Sequence, residues 1–64
     1  MRSPNPIMKY FEYEHLPEHL QRVSKPFSEL ARQIDADTYD GPEKRAGLRK
    51  LLEAKDCIVR AAIG

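Results

Sequence analysis

The chain has 64 residues, with 11 Lys and Arg balanced by 10 Asp and Glu, 41% hydrophobic residues and one cysteine, Cys57. So short a chain buries only about 60% of its unfolded surface. It lacks a second cysteine for a disulfide and a Cys/His set at structural zinc spacing, which leaves self-association as the common remaining staple. The balanced charge provides no overall field to recruit duplex DNA or an anionic membrane, and no apolar run approaches the length of a membrane span.

No basic and hydrophobic signal segment opens the sequence. Together with the free cysteine, this predicts a soluble, single-domain protein of the cytoplasm. Residues 1–9 hold two prolines, a serine and an asparagine without periodicity, and read as a flexible, extended or short helical arm. Residues 10–64 then form one domain. Tyr10, Phe11 and Tyr13 gather three of the five aromatic residues around Glu12. With no second strand to pair with, this segment reads as a strapped-down lead into a helix.

The first helix is expected to begin near Pro17, where a missing N–H costs nothing. Leu16, Leu20, Val23, Phe27, Leu30 and Ile34 follow steps of four and three, a sustained apolar seam. Pro26 interrupts it, and because the seam keeps its phase a kink is expected rather than two helices. Turn residues cluster from Asp35 to Pro42. A second helix should run from about Pro42 to Ala62, with Glu43 at the positive end of its dipole and Leu48, Leu51, Leu52, Ile58, Val59 and Ala62 on its apolar face. The fold class is therefore all-α: an antiparallel two-helix hairpin with an N-terminal arm. Each helix carries enough apolar residues for a second surface, so the hairpin is expected to assemble as a homo-oligomer.

Lys55, Asp56 and Arg60 stand in or beside the apolar face of the second helix. Charged groups in such places call for partners, here expected from another copy of the chain or an anionic ligand. Signs of catalysis are weak. His15 and His19 are four apart but separated by Pro17, with no third metal ligand fixed. Cys57 has no evident base, and Ser24 and Ser28 flank Pro26 without a nucleophile motif. We expect no enzyme, no metal and no cofactor. The rings of Tyr10, Phe11 and Tyr13, set beside Arg22, Lys25, Arg49 and Arg60, match how nucleotides are held: stacking for bases, forked hydrogen bonds for phosphates. Against this, Asp56–Arg60 and Arg49–Glu53 are spaced to form ordinary helical ion pairs.

Two segments resemble the small helical hairpin of phage anti-CBASS and anti-Thoeris sponge proteins, which sequester the cyclic nucleotide signals of bacterial immunity. Tyr13-Glu-His-Leu16 resembles the family's opening motif, a tyrosine followed by a leucine and then a helix. Leu51 with Ile58-Val-Arg-Ala-Ala62 resembles its closing run, a hydrophobic pair before Arg-Ala. The resemblance implies a compact homo-oligomer, typically a hexamer, in the host bacterial cytoplasm. Cyclic di- or trinucleotides would lie between protomers, bound without turnover. Tyr13 corresponds to the family's base-stacking tyrosine, helped by Tyr10 or Phe11, and Arg60 to an arginine at phosphate. The family's first-helix lysine falls on Ser28, with Lys25 one turn earlier. The alternative is a small helical assembly protein without a ligand, in which Lys55 and Asp56 set the register between subunits.

Overall fold

The computed structural model describes residues 5–64. A 3₁₀ helix at Pro6–Phe11 leads through a turn into helix α1, Glu18–Asp37, and residues 38–41 connect it to helix α2, Pro42–Ile63. The described residues contain no strand. The two long helices pack as an antiparallel pair, as expected, and the 3₁₀ helix lies against both.

The 3₁₀ helix crosses the expected arm boundary after residue 9. Asn5 caps it, its Oδ1 accepting from the N–H of Ile7 at 3.3 Å, and Pro6 sets its first turn. Ile7 and Met8 pack against the core and Phe11 is 1% exposed. Residues 5–9 are therefore part of the domain, while residues 1–4 of the expected arm lie outside the described residues. Burying a phenylalanine contributes roughly 2–3 kcal/mol, a large share for a domain this small.

Helix α1 runs unbroken through Pro26. Its inward face differs from the expected seam. The buried line is Leu20, Ser24, Ser28 and Ala31, and the core centres on Phe11, Ala31 and Leu48. Small side chains let α2 and the 3₁₀ helix approach closely, so Leu48 and Phe11 fill the space that larger α1 residues would occupy. The 4-3 seam is left along one flank: Val23, Phe27 and Ile34 are half-buried, and Leu30 is 46% exposed. The hydroxyls of Ser24 and Ser28 are fully buried without a hydrogen-bond partner.

Polar side chains fix both ends of α1. At its start, Gln21 Nε2 donates to the carbonyls of Leu16 at 2.7 Å and Glu14 at 3.3 Å, clamping the turn back onto the helix. At its end, the buried Lys44 of α2 donates to the carbonyls of Asp35 at 2.9 Å and Thr38 at 3.0 Å, and meets the Asp35 carboxylate at 3.0 Å. One ammonium thus satisfies carbonyls that a helix terminus leaves open and complements its negative dipole end.

Candidate functional site

The N-terminal segment covers only one flank of the hairpin. Glu14 is held above α1 by Gln21 and sits 3.8 Å from the Arg32 guanidinium. Positions 21, 25, 28 and 32 follow helical spacing, so Lys25 shares this flank. On α2, Arg45 and Arg49 line a groove with Asn5, Pro6, Ile7, Lys9 and Tyr10. Positions 49, 53, 56 and 60 continue the same side of α2 and carry Arg60 with it. The opposite flank is left open. There Ile34, Tyr39, Gly47, Leu51 and Ala54 line a largely apolar groove of about 710 Å³, and Ile58, also exposed, continues it.

The expected ligand residues divide by exposure. Tyr10 is 55% exposed, Lys25 and Arg60 are exposed, and Tyr13 is half-buried. Phe11 and Ser28 are sealed between the helices, so a ligand reaches neither unless the hairpin opens. Phe11 is a core residue rather than a stacking surface. Ser28 belongs to the small-residue line that admits α2. A signal for Ser28 was present in the sequence, since serines at 24 and 28 followed by Ala31 form a stripe of small residues at helical spacing, whereas no spacing marks Phe11 as buried.

Lys55 finds its partner within the chain, contrary to the expectation of an external one. Its ammonium donates to the carbonyl of Tyr10 at 2.8 Å. This bond fixes the backbone beneath the Tyr10 ring, while the neighbouring Phe11 is anchored in the core. Asp56 is exposed.

The helical ion pairs anticipated for Arg49 with Glu53 and Arg60 with Asp56 do not form. The Arg60 guanidinium instead donates to Cys57 Sγ at 3.4 Å. Among the described residues, Lys9, Lys25, Arg49 and Arg60 have no carboxylate partner, whereas Arg22, Arg32, Lys44 and Arg45 are paired. The Arg45 pair is with Asp40 at 3.0 Å, and its hydrogen bond holds the Asp40 carboxyl below its ordinary pKa. The Glu14 carboxyl is lowered too, chiefly by its own backbone N–H and that of Tyr13, with a smaller contribution from Arg32. Both acids are thus committed to local partners.

Tyr10 therefore stands with Lys9, Arg45 and Arg49 rather than with Arg60, which lies about 16 Å farther along α2 at 1.5 Å per residue. His15 and His19 are both exposed at the start of α1. No group of three or more His, Cys, Asp or Glu side chains suited to a metal ion occurs among the described residues, and no described helix is long and apolar enough to cross a membrane. No protein-family profile, curated protein or solved structure matches the chain.

Proposed function

We propose that this protein is a phage-type immune-evasion sponge that binds and sequesters cyclic di- or trinucleotide signals between protomers of a homo-oligomer, without catalysis. The observation that carries the reading is chemical. In a charge-balanced chain, the exposed Tyr10 and half-buried Tyr13 occur with Lys25, Arg49 and Arg60, exposed cations that have no acid partner among the described residues. Rings for stacking and free guanidinium groups are the two needs of a nucleotide ligand.

The open flank supports the assembly half of the proposal. Leu30 and Ile58 remain about half exposed there beside the apolar groove, and a 64-residue hairpin gains most from covering such a surface with a second copy. Enclosure between subunits would strengthen the charge-assisted bonds and slow ligand release. Sequestration then follows from mass action, with abundance and tight binding lowering free signal.

Calorimetric titration with a panel of cyclic di- and trinucleotides and cyclic ADP-ribose isomers, with light scattering on the same sample, tests the proposal. Tight binding at a fixed fraction of ligand per protomer is expected, lost in Tyr13→Ala and Arg60→Ala variants that keep their assembly. Silence across the panel would refute it. The same open flank favours a second reading, a helical assembly protein without a ligand. In that case Tyr13→Ala changes nothing, and substitutions on the flank alter copy number.

A further inference from the structure

The groove between the 3₁₀ helix and the first half of α2 has a composition suited to one kind of occupant. Its volume is about 420 Å³, within the usual range for small-molecule sites. Lys9, Arg45 and Arg49 all contribute to its lining, and among the described residues Asp40 is the one carboxylate bonded to any of the three. Arg45 and Arg49 are one helical turn apart, so their guanidinium groups rise from the same side of α2. Arg49 has no acid partner among the described residues, and its forked donors are free.

Tyr10 supplies the second element. Its ring is largely exposed, yet its backbone is held by Lys55 on one side and by the buried Phe11 on the other. Lys9 Nζ stands 5.2 Å from the ring centroid, already placing positive charge over this ring. A flat ring on an anchored backbone beside three cations suits a molecule with an aromatic face and a phosphate. Asn5 lies at the same rim, with its carboxamide oxygen used in capping and its NH₂ group left to donate.

We propose that this groove is a binding site for a nucleoside phosphate, with the base on Tyr10 and the phosphate between Lys9 and Arg49. It deepens the nucleotide-binding reading above, but it is formed by a single protomer and uses Arg49 rather than Arg60. Arg45 assists once the incoming phosphate competes with Asp40 for its guanidinium group.

Adenosine 5′-monophosphate titrated into ¹⁵N-labelled protein provides the test. Amide shifts should change at Ile7, Lys9, Tyr10, Arg45 and Arg49, and weaken as salt is raised. Arg49→Ala and Tyr10→Leu, both at exposed positions, should each reduce the apparent affinity tenfold or more, while Arg60→Ala leaves it unchanged. Shifts that are absent, scattered along the chain, or indifferent to Arg49→Ala would overturn the site. If adenosine 5′-monophosphate engages the groove while the cyclic panel stays silent, the site stands and the sponge reading falls. Cyclic nucleotide binding abolished by Arg60→Ala, with no response of the groove to the monophosphate, would reverse that outcome.

Discussion

Three buried polar side chains in the hairpin have opposite effects on its stability. Ser24 and Ser28 each bury a hydroxyl without a partner, and desolvating such a group costs about 1–3 kcal/mol. Alanine keeps the small volume that lets α2 approach, so Ser24→Ala and Ser28→Ala should each stabilise the protein by about 1 kcal/mol in urea titrations. Lys44 is also buried but engaged with Asp35 and Thr38. Lys44→Met leaves the Asp35 carboxylate and two carbonyls without that donor, and should cost about 3 kcal/mol in the same measurement. These roles were only partly legible in the sequence. A lysine near a helix start reads as solvated surface, because the carbonyls it caps belong to another helix. The serines read as helix neighbours of Pro26, because only the packing shows which stripe of α1 turns inward.

At the scale of elements, most of the fold could be read from residue spacing. Both long helices and the connection between them followed from apolar periodicity and clustered turn residues. The face of α1 did not, since two adjacent stripes compete for the interior: a large one through Val23, Phe27 and Leu30, and a small one through Ser24, Ser28 and Ala31. Close approach of α2 and insertion of Phe11 decide for the small one, and both are tertiary effects outside the periodicity. Helix α1 also continues across Pro26, whose ring is exposed. The carbonyl of Arg22 therefore lacks its usual intrahelical donor. Pro26→Ala restores that bond on the outer surface, and is expected to stabilise α1 by about 2 kcal/mol, seen as a higher Tm and slower amide exchange around Arg22.

For the whole molecule, asymmetry between the two flanks is the main feature. One is covered by the N-terminal segment and carries Tyr10 with Lys9, Arg45 and Arg49. The other leaves Leu30, Ile58 and the groove around Leu51 open. If the open flank joins protomers, Leu30→Glu with Ile58→Glu should yield a monomer in light scattering while the hairpin retains its helical circular dichroism. An unchanged mass would place the interface elsewhere. The candidate site was legible as a composition, rings with arginines, but not as an arrangement. Which arginine meets which ring depends on where the 3₁₀ helix crosses α2, and the path of that crossing is set by Phe11 in the core and by Lys55 on the Tyr10 carbonyl.

The Lys55–Tyr10 bond joins positions 45 residues apart, which also orders events during synthesis. At roughly 5–20 residues per second, translation takes about 2–9 s to add the residues between them. For most of that interval Ile7, Met8 and Phe11 have been made, but Leu48 and Lys55 have not. The nascent chain therefore carries a sticky apolar segment ahead of its own shelter, a target for chaperones until α2 is complete.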